Sequence, residues 1–342
     1  MFHETKLSAA RLFAFVVGVK QHRNYFDAKT TADNLFQGSR AIRDQDVLNF
    51  INQMLSHDLY NCSSSLREFT ECFKDWLPSS LNRIEGLEKF QADFSAGTTQ
   101  AFDSFYFRHR NLKFRCFVGE YFYHLKNWIS NSVKWSFISD DDPLTHGDAL
   151  VLSVPFCDTG SLPDNLDSIL NICSDKKIPV LIDACYYPIS NIGIIDVDRP
   201  CVDTVCFSLS KLFPVSHFRI GVRYTRPAIY DGQKLHDSIG YNNYISSYIG
   251  LNLIKNFDSD YIYLKYKDKQ KEVSNYFELD NSQSVLFGIG DQQWRQYGRK
   301  SLLNSYKLNF SEDLFVNRIC LNSIYENWDL FQRIKIENRT KI

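Results

Sequence analysis

The sequence predicts an α/β protein built on a mainly parallel, mixed sheet flanked by helices. Two observations carry that expectation. Short β-rich apolar runs alternate with helical or polar stretches from about residue 90 to residue 225, and no repeat or long Ser/Gly/Pro linker divides the 342 residues. Chemistry-bearing residues follow the ends of several runs, as they do in doubly wound sheets.

The elements follow in order. An apolar run at residues 12–17 is too short to span a membrane and has no small-residue cleavage site after it, so it reads as a core strand. Strands are expected at residues 92–94, 114–118, 150–154, 179–182, 204–208 and 220–224. One helix is expected over 99–109, just after a Gly-Thr loop. Another is expected over 163–174, following Asp158-Thr159-Gly160, with Leu166, Ile169, Leu170 and Ile172 apolar. Residues 261–277 are charged and helix-compatible, and lead to strands at 284–289 and 315–321 and a last helix near 325–334. The expected division is a large α/β domain over 40–265 and a smaller α+β domain made of 1–39 together with 266–342.

Composition bounds the function. Thirty-nine Lys plus Arg against 40 Asp plus Glu leave a formal charge of -1, so no basic excess points to nucleic acid or an anionic membrane. With 44% hydrophobic and 23% charged residues, 15 Gly and 9 Pro, the chain is globular rather than disordered. Twenty-seven Phe and 19 Tyr hint at an aromatic-lined pocket. Nine cysteines without CxxC pairs or zinc spacing read as reduced, mostly buried thiols, with no metal site, in a cytoplasmic protein.

The loops after the runs hold a consistent set. Asp183-Ala184-Cys185-Tyr186 follows one run. Ser208-Leu209-Ser210-Lys211 follows another, and Arg219-Ile220-Gly221 comes eight residues after the lysine. An acid, a phenol, two hydroxyls, an amine and a guanidinium suit pyridoxal phosphate, which needs a lysine for its aldehyde, an acid for its ring nitrogen and a cradle for its phosphate. Lys211 would be the Schiff-base lysine and general base, Asp183 the partner of the ring nitrogen, and Tyr186 a donor to the ring phenolate oxygen. Ser208, Ser210 and Arg219 would hold the phosphate, joined by Ala96, Gly97 and Thr98 at a helix start.

These motifs resemble a fold-type I pyridoxal-phosphate enzyme of the class I/II aminotransferase family. Ser208-Leu209-Ser210-Lys211-Leu212-Phe213 with Arg219-Ile220-Gly221 resembles its lysine signature, and Gly97-Thr98-Thr99-Gln100-Ala101 its phosphate loop. The resemblance implies that the Tyr121 ring stacks on the cofactor; His124, three residues on, reads either as a structural histidine or as a hydrogen-bond partner of Asp183. Tyr60 would reach the neighbouring subunit's cofactor in a homodimer. Arg318, in Arg318-Ile319-Cys320-Leu321, would grip the substrate carboxylate, and Gly18 would match the substrate-loop glycine.

Two departures matter. Cys157-Asp158-Thr159-Gly160 stands where the family has Asn-Pro-Thr-Gly, so Cys157 replaces the asparagine that contacts the ring phenolate oxygen. Residues 238–250 contain no arginine, which disfavours dicarboxylic amino acids as specific substrates. The expected activity is an aminotransferase working on an α-amino acid or related amine and a keto acid. The alternatives are a decarboxylase, lyase or Claisen-type enzyme with the same cofactor, and a non-catalytic scaffold retaining the fold.

Overall fold

In a computed structural model, which describes residues 38–55, 65–295, 297–298 and 316–339, the first described elements are two amphipathic helices, α1 (Gln45–Met54) and α2 (Ser65–Trp76). Asp44 starts α1 by accepting the amides of Asp46 and Val47 at 3.1 and 3.2 Å. The buried face of α2, with Leu66, Phe69 and Phe73, belongs to the main core.

Seven strands form the central sheet. In chain order they are β2 (Gln91–Ser95), β3 (Lys113–Cys116), β4 (Trp135–Phe137), β5 (Asp148–Ser153), β6 (Val180–Asp183), β8 (Val202–Ser208) and β9 (Gly221–Thr225). Their spatial order is β2-β9-β8-β6-β5-β3-β4, parallel throughout except for β9, which runs against both neighbours. The six strands expected from the sequence in this region are found to within two residues at either end, whereas the three-residue edge strand β4 was not expected.

Helices cover both faces, so the inner strands are buried on both sides and carry apolar side chains in unbroken runs. On β5, Leu150 and Leu152 join one apolar cluster while Ala149 and Val151 join the other. The second cluster is completed by Ala101, Phe102 and Phe105 of α3 (Thr98–Arg108) and by Leu125 and Trp128 of α4 (Phe122–Ser130). Leu166, Ile169, Leu170 and Cys173 of α5 (Leu166–Asp175) close the first. Burying each large aliphatic or aromatic side chain is worth roughly 1.5–3 kcal/mol.

The β2/β9 edge is fixed by charge as well. Arg223, fully buried, bonds Asp93 at 2.8 Å and Asp231 at 2.7 Å, and Asp93 is its register partner across the strands. Asp231 also caps α6 (Gly232–Ser238) through the Lys234 amide. The next helices are α7 (Tyr244–Asn256), packed on α2, and α8 (Tyr261–Phe277), which occupies the span expected to be helical.

Two smaller sheets complete the described chain. β1 (Asn82–Glu85) pairs in parallel with β7 (Gly193–Asp196). β10 (Asp280–Asn281), β11 (Phe287–Gly290) and β12 (Asn317–Cys320) form an antiparallel set, followed by α9 (Asn322–Arg339). The expected strands at 284–289 and 315–321 correspond to β11 and β12, displaced and shortened. The last helix is longer than 325–334. The run at 12–17 lies outside the described residues. Among the described residues no helix is long and apolar enough to cross a membrane.

Candidate active site

The parallel strands β2, β3, β5, β6 and β8 present their carboxyl ends at one edge of the sheet, and the antiparallel β9 begins there, so Arg219 returns to the same edge. Register then sets the neighbours. Ser153, Asp183 and Cys206 lie side by side across β5, β6 and β8, and Ser208, Gly221 and Ser95 across β8, β9 and β2. A cavity of about 180 Å³ opens at this edge.

One part of its wall suits an anion. Thr98, Thr99, Ser208, Ser210 and Arg219 line it. Helix α3 starts at Thr98 without a side-chain cap, so its first-turn amides have no intrahelical partner and its dipole favours negative charge. The Ala96 amide is taken by Gln100 Oε1 at 2.7 Å and the Gly97 amide by the Ser95 carbonyl at 2.7 Å. Gly97 instead contributes space. A Cβ there would lie 2.2 Å from Arg219 Nη2. Arg219, at φ +55, donates to Thr99 Oγ1 at 3.1 Å and to the Ser216 carbonyl at 3.3 Å. Ser208 Oγ lies 2.9 Å from Ser210 Oγ and accepts the Ser210 amide at 3.2 Å.

Lys211 and Tyr186 also line the cavity, and both touch Ser39. Lys211 Nζ donates to the Ser39 carbonyl at 2.6 Å, and the Tyr186 hydroxyl is 3.0 Å from Ser39 Oγ. Burial lowers the Lys211 amine below its usual range, which raises its neutral, nucleophilic fraction. Burial pushes the Tyr186 phenol far up, so it stays a donor. The following residue, Arg40, pairs through both its terminal nitrogens with Glu326 of α9, at 2.5 and 2.7 Å.

Asp183 ends β6 inside the cavity wall. Its Oδ1 accepts the Cys185 amide at 3.1 Å. Burial, reinforced by the nearby Glu120 carboxylate, pushes it up to about 7. Tyr121 lines the cavity on the loop after β3, with its phenol pushed up to about 12 by burial. His124 is fully buried, its Nδ1 2.5 Å from the Tyr106 hydroxyl, and its ring lies 6.0 Å from that of Tyr121.

Cys157 lines the cavity, and Arg318 reaches the same wall from behind it. Arg318 Nη1 donates to the Cys157 carbonyl and lies 3.7 Å from Cys157 Sγ, while its guanidinium sits 4.4 Å over the Phe287 ring. Arg318 Nε has no partner among the described residues.

The sequence-derived set is thus mostly gathered. Thr98, Tyr121, Cys157, Asp183, Tyr186, Ser208, Ser210, Lys211 and Arg219 share one cavity. Ala96, Gly97 and Arg318 do not line it; Gly97 abuts Arg219 and Arg318 bonds Cys157, both of which do. Tyr60 and Gly18 lie outside the described residues. Sequence reasoning passed over Ser39, Arg40, Ser216 and Glu120, for which no local motif gave a signal, and gave no role to Cys185 within Asp183-Ala184-Cys185-Tyr186.

No family model matches the sequence, and neither does any curated protein. Solved structures do. The aromatic aminotransferase from Pyrococcus horikoshii OT3 superposes with a TM-score of 0.61 at 14% identity, over 89% of this chain and 95% of that one. This chain has the fold of the pyridoxal-phosphate aminotransferases and related enzymes. The PLP-bound C-S lyase from Staphylococcus hominis is similar to it at a TM-score of 0.62 and 11% identity, over 87% of this chain and 89% of that one. L-threonine-O-3-phosphate decarboxylase from Porphyromonas gingivalis gives 0.58 and 12%, over 89% and 99%. The α/β architecture expected from the sequence, with its mixed sheet between helices, is the one that these enzymes share.

Proposed function

We propose that this chain is a pyridoxal-phosphate-dependent enzyme, an aminotransferase acting on an α-amino acid or a related amine, working as a homodimer. The observation that carries the proposal is the convergence of Lys211, Asp183, Tyr186 and an anion cradle on one cavity at the carboxyl edge of the sheet.

The residues present fit the cofactor. Arg219, two serine hydroxyls and an uncapped helix start form a donor set for a phosphate dianion, and the missing side chain at Gly97 leaves room for the guanidinium. Asp183 is a buried acid that accepts from Cys185 at the cavity wall, which suits a cationic ring nitrogen opposite it. When bound, the cofactor supplies an aldehyde that an amine can capture and a cationic ring that withdraws electrons from the substrate Cα.

The chain's own residues supply the rest. Lys211 offers an amine that burial keeps partly neutral, able to take and return the proton at the substrate Cα. Tyr186 donates from a phenol that remains protonated. Tyr121 covers one side of the cavity. Arg318, with its unpartnered Nε, binds the substrate carboxylate. Residues 238–250 hold no arginine and Arg40 is paired with Glu326, so among the described residues lining the cavity the cations other than Lys211 and Arg219 are compensated.

A second reading keeps the cofactor and changes the bond that breaks. Cys157 favours it, because a thiol is a weaker donor than an amide, and similar folds include a C-S lyase and a decarboxylase. The test is spectroscopic. Protein incubated with pyridoxal phosphate and desalted is expected to stay yellow, and the Lys211→Ala variant to lose the band. Conversion of that band by a panel of amino acids with release of keto acids supports transamination, whereas carbon dioxide or ammonia selects the second reading. A colourless wild-type protein overturns both.

A further inference from the structure

Glu120 is almost fully buried, at 4% exposure, and none of the roles above uses it. It sits on the loop between β3 and Tyr121, and its carboxylate ties that loop to the end of β5. Oε1 accepts the Ser153 amide at 2.8 Å, and Oε2 accepts the Ser153 hydroxyl at 2.5 Å. Oε2 also accepts the Tyr121 amide at 3.3 Å. Ser153 passes the connection on, because its Oγ accepts the Cys157 amide at 2.9 Å. Ser153 is also the register partner of Asp183, whose carbonyl accepts the Val154 amide at 2.9 Å. One buried carboxylate therefore joins the Tyr121 loop, the Cys157 turn and the strand beside Asp183.

Its charge acts on the same neighbour. Two carboxylates in one low-dielectric region resist being ionised together. The Tyr121 amide and the Ser153 amide and hydroxyl face Glu120, while Cys185 donates to Asp183. The other titratable groups acting in this region are Lys211, Arg115, Arg219, Arg223, Cys116, Cys157, Cys185, Cys206, Tyr106 and Tyr121. Of the cations, Lys211 acts on Asp183 itself and opposes Glu120 there.

We propose that Glu120 is a positioning residue that sets the protonation state of Asp183 while holding the Tyr121 and Cys157 walls in register. The cofactor-free protein then keeps a proton on Asp183 up to neutral pH, poised opposite whatever nitrogen base enters. That this base is a pyridine ring rests on the function proposed above. The residue-to-residue effect does not.

The test uses cofactor-free protein labelled with carboxyl-13C aspartate, with Asp183→Asn assigning the resonance. The wild-type signal is expected to titrate near pH 7, and in Glu120→Gln, which keeps an acceptor oxygen for Ser153, to move down by about one pH unit. A Glu120→Gln protein with unchanged circular dichroism and an unmoved Asp183 titration would overturn the proposal, leaving burial alone as the cause. A merely structural Glu120 would lower the melting temperature without moving that titration. Since no pyridoxal phosphate is present, failure here is separate from failure of the colour test.

Discussion

Lys211 Nζ donates to the main-chain carbonyl of Ser39, 172 positions upstream, at 2.6 Å. The contact is to backbone, while the Ser39 side chain serves Tyr186. Ser39→Ala should therefore leave the lysine contact intact and strip the buried phenol of its partner. The expected loss is about 1 kcal/mol in denaturant-induced unfolding, with Lys211 still able to capture pyridoxal phosphate by absorbance.

Gly97 adopts φ +71 and ψ 180, a region open essentially to glycine. Alanine there is strained and also meets the Arg219 guanidinium at 2.2 Å. Gly97→Ala is expected to destabilise the protein by roughly 1–3 kcal/mol and to weaken pyridoxal-phosphate binding about as much as Arg219→Ala does, measured by fluorescence titration. A Gly97→Ala protein of normal affinity would remove the cradle from the binding account.

Asp183 is pushed up to about 7, above its ordinary 3.8. The folded state thus holds its proton more tightly than the unfolded chain. The stability this contributes is fully present below about pH 4 and is lost as pH rises through about 7. Cofactor-free Asp183→Asn should lack that component, so the difference in unfolding free energy between the two proteins changes across pH 4–7, by at most on the order of 4 kcal/mol. A difference that stays constant over the window contradicts the burial argument.

Most of the fold was legible because of how its strands are buried. Residues 148–153, covered on both faces, read as one apolar run, and the helix at 261–277 announced itself by composition. Strands β1 and β7 were illegible because each has only four residues, with one apolar side chain in Asn82-Arg83-Ile84-Glu85 and two in Gly193-Ile194-Ile195-Asp196, too few to show a period. The site divides in the same way. Asp183, Ser208, Lys211 and Arg219 sit in local motifs at strand ends. Ser39, Arg40 and Glu120 act through contacts that only the folded chain creates, such as the 286-residue separation between Arg40 and Glu326. Among the described residues Ser39 and Arg40 reach the lysine's cavity, while Gly18, expected in the substrate loop, lies outside them.

Arg318 holds the main-chain carbonyl of Cys157, not chiefly its thiol. Cys157→Ala should preserve that bond and cost about 1 kcal/mol or less in stability. Arg318→Leu removes the buried charge-assisted hydrogen bond to that carbonyl, with an expected cost of about 1–3 kcal/mol. Arg318→Lys is expected to raise the KM for amino acids at least about tenfold, since an ammonium cannot replace the fork. Equal KM values in wild type and Arg318→Lys would place the carboxylate elsewhere.

The clasp between Arg40 and Glu326 bears on biosynthesis. Glu326 emerges from the ribosome long after Lys211, so the segment that rests on the amine cannot be fastened until more than a hundred further residues have been made. A nascent chain already folded through β9 would present its lysine to free aldehyde before that fastening, giving it a window for loading that the completed protein narrows.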